Sequence, residues 1–214
     1  MNGEGMTIAR NYDLYVTPED NAEAILLQRA RETTTSLHAI IFGFTDAVLG
    51  DIFIAKHNAG LLVGLVCDKT QAAGPKENAL LHTLVDAGVP IIITESSYNL
   101  ISHEKALICD VTTGFISDIS RVCLGSYNFS SASAEHQNNH LIDTNDAGMT
   151  QRLWLKYQTA AAFGLAHPQW QIAANPQKAV DVTIPPPHGL TPPVPADIAA
   201  TPVPPETPPP SPSA

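Results

Sequence analysis

Apolar residues fall along this chain in short continuous runs, separated by stretches of mixed character. Tyr12 to Val16 reads as a brief strand. Thr17-Pro18-Glu19-Asp20 then carries the marks of a helix start: a capping threonine, proline at the first helical position and acids in the first turn. Ala22, Ile25, Leu26 and Ala30 continue it as an apolar stripe at helical spacing. Leu37 to Thr45 (LHAIIFGFT), Leu61 to Cys67 (LLVGLVC) and Val89 to Thr94 (VPIIIT) are runs of strand length. Between them, Asp46 can cap a helix running to about Asn58, and Pro75 to Gly88 reads as a helix closed by a glycine.

The second half continues with His103 to Asp110 and Arg121 to Leu124, two strands of a hairpin joined by a polar connection. Phe129 to His136 suits a helix capped by Ser130, and Leu141 to Asp143 a short edge strand. Met149 to Leu165 reads as a helix with Leu153, Tyr157, Ala160, Ala161 and Gly164 available to pack. Strands apolar on both faces, alternating with helices, require cover on both sides. The fold class expected is α/β: a mixed, largely parallel sheet with helices on both faces.

Composition changes the picture at the C-terminal end. Thirteen of the 18 prolines lie between Pro185 and Pro212. Such a segment cannot bury a core and is expected to be disordered, with polyproline II character. The expected organisation is a folded domain over residues 1–180 and a proline-rich tail over 181–214. PxxP spacings, as from Pro192 to Pro195, make the tail a candidate for a proline-recognition partner.

The net charge of −10 argues against a broad basic face for duplex DNA, although a local basic pocket is compatible with it. The cysteines, Cys67, Cys109 and Cys123, are odd in number and form no C-x-x-C, which fits a reducing compartment. No signal-peptide core is recognisable and no apolar run approaches about 18 residues, so a cytoplasmic location is expected.

The candidate chemistry lies in HEKALICD. Strand alternation puts His103 and Lys105 on one face, where both can meet a single phosphate, and gives Asp110 the opposite parity. Gly125-Ser126-Tyr127-Asn128 follows the hairpin partner and should lie near one end of the His103 strand. Glycine lets backbone approach a ligand, and Ser126 and Asn128 can donate hydrogen bonds to an oxyanion. A polar pocket of this kind suits phosphate chemistry. His136 and His140, spaced as one helical face, could join Cys109 or Cys123 around zinc, but no metal-ligand pattern accompanies them, and no metal is expected. Neither a G-x-S-x-G elbow nor a Walker A sequence is present.

His103-x-Lys105-x4-Asp110 followed by Gly125-Ser126-x-Asn128 resembles the signature of the phospholipase D superfamily, and in particular its short, single-motif, nuclease-like members. The resemblance covers about residues 10–165. It implies that His103 attacks phosphorus to give a phosphohistidine, that Lys105, Ser126 and Asn128 hold the phosphoryl oxygens, and that Asp110 supports the histidine arrangement. It implies no cofactor. It also implies a homodimer sharing one active site, because a second histidine must protonate the leaving alcohol. The substrate is then a phosphodiester: a nucleic acid, or alternatively a phospholipid headgroup. One departure stands out. Where the family has an N-x-E pair, this chain places Gln137 and Asn139, an amide in the carboxylate's position, with Glu135 nearby. That change raises a third reading, a weakly active or inactive binding module.

Overall fold

The computed structural model describes residues 12–97, 100–112 and 115–173. The expected tail, its proline-recognition partner and the boundary at 180/181 lie outside the described residues. Seven strands form one sheet in the order β1-β7-β6-β5-β2-β3-β4. They are β1 (Tyr12–Thr17), β2 (Ser36–Ile41), β3 (Leu62–Asp68), β4 (Ile91–Thr94), β5 (Lys105–Cys109), β6 (Arg121–Gly125) and β7 (Asn139–Thr144). The helices are α1 (Ala22–Glu32), α2 (Ala47–Asn58), α3 (Lys69–Ala72), α4 (Pro75–Asp86), α5 (Ser131–Glu135) and α6 (Ala147–Leu165).

The sheet is mixed, as expected. Its parallel ladders are confined to β2–β3–β4, and the other four pairings are antiparallel. Five strands, β1 to β4 and β6, nonetheless point the same way. The register explains the apolar runs. Leu14, Ile142, Leu124, Ala106, Ile40, Val66 and Ile92 stand opposite one another in a row across all seven strands. From Leu124 to Ile92 this row packs under Trp154, Tyr157, Ala160 and Ala161 of α6. The opposite parity, with Leu107, Ala39 and Leu65, packs against Leu26, Ala30, Leu49, Phe53, Leu81 and Leu84 of α1, α2 and α4. Helices therefore cover both faces, but unequally. Beyond β6 the α6 face is open, and Tyr12, Leu14 and Val16 of β1 are exposed.

Several elements start where their caps are. Asp46 and Ser130 cap α2 and α5 as expected, accepting from Leu49 N–H at 3.0 Å and Ser133 N–H at 3.3 Å. Helix α1 does not begin at Thr17. Its cap is Asn21, whose Oδ1 accepts the Ala24 N–H at 2.9 Å. Thr17 ends β1 instead, its hydroxyl donating to Gln137 O at 2.7 Å and accepting the Asn139 N–H at 3.1 Å. The run from Leu37 to Thr45 divides: Phe42 to Thr45 leave the sheet as a loop held by Phe129, whose N–H donates to Gly43 O at 3.0 Å and whose carbonyl accepts the Thr45 N–H at 2.9 Å. The one-turn helix α3, capped by Asp68, was not expected.

His38 and Glu77 are among the ionisable side chains buried away from the candidate chemistry. His38 sits between Trp154 and Tyr157, with ring centroids 4.9 and 5.0 Å away, and burial lowers its pKa to about 4. Glu77 of α4 is 3% exposed and accepts the Phe44 N–H at 2.9 Å. Burial raises its pKa to about 7; the Phe44 hydrogen bond opposes the rise and nearby Asp68 adds to it.

Candidate active site

The hairpin and its neighbours bring one group of polar side chains together. His103 precedes β5, Gly125 and Ser126 close β6, and His140 stands near the start of β7. These ends meet beyond the last residue of β2, and His103, Glu104, Lys105, Gly125, Ser126, His140, Leu124 and Leu153 line an open cleft of about 310 Å³. The strand is shorter than the HEKALICD pattern implied, because it starts at Lys105. His103 is thereby freed from the ladder and is exposed, its ring 4.6 Å from that of Phe42 in edge-on contact.

Lys105 is buried, with only 5% of its surface exposed. Its Nζ donates to the His103 carbonyl at 3.0 Å and lies 4.8 Å from the centre of the Phe42 ring. Burial lowers its pKa, against the carboxylates of Glu104 and Asp68, which raise it. An ammonium has three donors, and among the described residues one is taken. The remainder can serve an anion in the cleft.

Ser126 is positioned by β7. Its backbone N–H donates to His140 O at 3.1 Å, and its hydroxyl donates to Asn139 Oδ1 at 3.1 Å. The same oxygen lies 3.1 Å from His140 N and 3.2 Å from His140 Nδ1. Gly125 makes this approach possible: a Cβ there would sit 2.1 Å from His140 O and 3.2 Å from its Cδ2. The glycine is thus required by the neighbouring strand, in addition to any ligand.

Asp110 is not in the cleft. It follows Cys109 at the far end of β5, with φ 56°. Its Oδ1 accepts the N–H groups of Thr34 and Thr35 at 2.8 and 2.7 Å and the Thr35 hydroxyl at 2.9 Å. The expectation that it supports the histidine is corrected, since a five-residue strand lies between them. Asp110 ties the turn before β2 to the end of β5.

Asn128 also falls outside the cleft lining. Its amide packs beside Gly43, and its buried Oδ1 has no hydrogen-bond partner among the described residues. Asn139 and Gln137 lie one layer behind Ser126: Asn139 Nδ2 is 3.4 Å from Gln137 Oε1, which accepts the Ser133 hydroxyl at 3.0 Å. Glu135 is exposed and lies 3.5 Å from its neighbour His136. The helical pairing of His136 with His140 is corrected too, because α5 ends at Glu135 and His140 belongs to β7. All three cysteines are buried, and burial pushes the Cys109 thiol up to about 12. Among the described residues no group of three or more His, Cys, Asp or Glu is placed to hold a metal ion, and no helix is long and apolar enough to cross a membrane.

His140 is the cleft residue that sequence reasoning placed on a helical face with His136 and away from His103. Alternation along Leu141-Ile142-Asp143 held the signal: two more residues of strand put His140 and Ile142 on one face, level with Val16 and Leu14 of β1.

The mixed sheet covered by helices is a fold shared with solved members of the phospholipase D family. The chain belongs to the family described as cardiolipin synthase, PLD-like domain, whose model matches residues 26–159. Similar solved structures include a phospholipase D family member, Nuc, from Salmonella typhimurium (20% identity, 72% of this chain, 95% of that one, TM-score 0.63). NucT from Helicobacter pylori is similar over 71% of this chain and 96% of its own, at 18% identity and TM-score 0.59. Polyphosphate kinase from Porphyromonas gingivalis shares the fold over 71% of this chain and 26% of its own, at 13% identity and TM-score 0.56. At these identities the likeness speaks to the fold. No curated protein matches the chain.

Proposed function

We propose that this protein is a metal-independent phosphodiesterase that works through a covalent phosphohistidine on His103 and acts, nuclease-like, on nucleic acid. The observation that carries the reading is the cleft, whose lining joins the exposed His103 and the buried Lys105 to the Gly125-Ser126 turn. A His103 ring nitrogen attacks phosphorus while Lys105 neutralises the phosphoryl oxygens, so one difficult displacement becomes two easier ones. The acidic net charge favours single strands or small phosphodiesters over duplex DNA.

The leaving alkoxide must be protonated, and His103 cannot do this while attacking. The resemblance to short single-motif members supplies a second His103 through a two-fold homodimer. The cleft itself holds another imidazole, His140.

The test is hydrolysis of bis(p-nitrophenyl) phosphate in EDTA, parent against His103→Ala, with light scattering for the dimer. Turnover that survives EDTA and is lost in the variant supports the proposal. EDTA-sensitive turnover, or an active His103→Ala, overturns it. A folded parent with no turnover moves the protein to the binding-module reading.

A second substrate reading, a phospholipid, draws on the family description, which names cardiolipin synthase, and on the apolar strand beside the cleft. Single-stranded oligonucleotide and phosphatidylglycerol vesicles, assayed side by side, separate the two.

A further inference from the structure

His103 lies before the first residue of β5, outside the ladder, yet hydrogen bonds bracket its backbone. Lys105 Nζ donates to the His103 carbonyl at 3.0 Å, and the Phe42 N–H donates to the Glu104 carbonyl at 2.7 Å. On the other side of His103, the Ser102 N–H donates to Asp68 Oδ2 at 2.6 Å, and that bond is buried. Asp68 belongs to β3, which is separated from β5 by β2. The reach is possible because β2 stops first. Its last residue, Ile41, pairs with Cys67 on one side and Lys105 on the other. Phe42 then leaves the sheet, while β3 runs one residue further, to Asp68. Past the end of β2, Asp68 meets the segment that enters β5.

Asp68 is fully buried, at 0% exposure. A carboxylate in such a place needs donors on its oxygens. Oδ1 caps α3: it accepts the N–H groups of Thr70 and Gln71 at 2.8 and 3.2 Å, together with the Thr70 hydroxyl. Capping occupies Oδ1, and Oδ2 goes to Ser102. One oxygen starts a helix; the other holds the residue before His103. Asp68 does not line the cleft.

We propose that Asp68 is a positioning residue for His103, fixing through the Ser102 N–H where the imidazole enters the cleft. The inference rests on the phosphohistidine reading of His103. Phe42 completes the mount, its ring 4.6 Å from that of His103 and its N–H on Glu104. Ser102 and Glu104 thus anchor the two sides of the nucleophile, from β3 and from the end of β2. Attack needs the nitrogen within about 3–3.5 Å of phosphorus, and a misplacement of about 1 Å costs on the order of 10²-fold in rate.

Asp68 also favours the charged form of Lys105, and the experiment separates that charge from the bond. Asp68→Asn keeps one oxygen for the donors of Thr70 and Gln71 and turns an NH2 group toward the Ser102 N–H. Ser102→Pro removes that N–H and leaves the carboxylate in place. With bis(p-nitrophenyl) phosphate, and rates taken per folded molecule, each single variant should lower kcat by about 10²-fold. KM should change by less than about threefold, because the groups that bind the diester stay in place. The double variant should be no slower than the slower single one, since both changes remove the same bond. In Asp68→Asn the Ser102 amide should exchange with solvent at least about tenfold faster, while the amides of Thr70 and Gln71 stay protected. Thr70→Val, which loosens only the capping side of Asp68, should keep kcat within about threefold of the parent's. Losses that multiply in the double variant overturn the proposal, because charge and backbone would then act separately. A Ser102 amide that stays protected overturns it too, as does an Asp68→Asn that frees this amide and keeps the parent's kcat. His103→Ala is the separate control: if it remains active, the phosphohistidine reading falls, whatever Asp68 does.

Discussion

At the scale of single residues, His103 and Asp110 belong to one sequence motif but have different work. His103 is exposed at a cleft and makes no hydrogen bond through its ring among the described residues, whereas Asp110 is buried and accepts from two backbone N–H groups and two hydroxyls. His103→Ala should therefore abolish turnover and leave the thermal midpoint close to the parent's. Asp110→Ala should do the reverse. Removing a charged acceptor that satisfies buried donors costs about 2–4 kcal/mol, and alanine adopts φ 56° less readily than aspartate does. Activity per folded molecule should stay within a few-fold, because Asp110 is a strand length away. Calorimetry and single-turnover rates on the two variants test this division, and a stable but inactive Asp110→Ala would reject it.

At the scale of elements, the strands and helices were largely legible, since hydrophobic pattern and local caps set them. Leu61 to Cys67 is apolar on both parities because β3 is covered on both faces, and Asp46 caps α2 as its chemistry requires. What was not legible depends on long-range pairing. Thr17-Pro18-Glu19-Asp20 has the local form of a helix start, but Thr17 is taken by Asn139 and Gln137, far along the chain, and α1 begins later at Asn21. His140 was misplaced for the same reason, since its position at the cleft follows from β7 pairing with β6 beside Gly125. His103 and Lys105 both line the cleft, although only Lys105 belongs to the strand, because a two-residue separation keeps them local.

Gly164 shows the same competition within one helix. Alanine is favoured over glycine in a helix interior by about 1 kcal/mol. Yet a Cβ at 164 would lie 2.6 Å from the backbone oxygen of Ile93 in β4, which cannot give way as a side-chain tip can. Gly164→Ala should therefore lower stability by about 1–3 kcal/mol, despite its better propensity. A urea midpoint at or above the parent's would show that α6 can shift off β4 at little cost.

At the scale of the whole molecule, two buried groups on opposite sides of the sheet give stability opposite responses to pH. Glu77 has a pKa of about 7 in the fold against an ordinary 4.5. Between those values the folded chain binds the proton and the unfolded chain does not, so this contribution is complete below about 4.5 and is lost as pH rises through 7. His38 is lowered to about 4 from an ordinary 6.5, so its neutral form is favoured in the fold. Its contribution is complete above 6.5 and is lost as pH falls toward 4. Where the windows overlap, between 4.5 and 6.5, each group gives a slope near 1.4 kcal/mol per pH unit, one falling and one rising. Their sum is close to zero. Single substitutions should unmask the hidden slopes. Relative to the parent, Glu77→Gln should gain up to about 3 kcal/mol on going from pH 4.5 to 6.5, and His38→Gln should lose a similar amount over the same range. The two sites share no partner, so their effects should add, and the double variant should return to the parent's pH dependence. Urea midpoints at three pH values across the window decide it. If either single variant runs parallel to the parent, that group does not titrate with the shift its burial demands, and if the double variant stays sloped, the cancellation is between other groups.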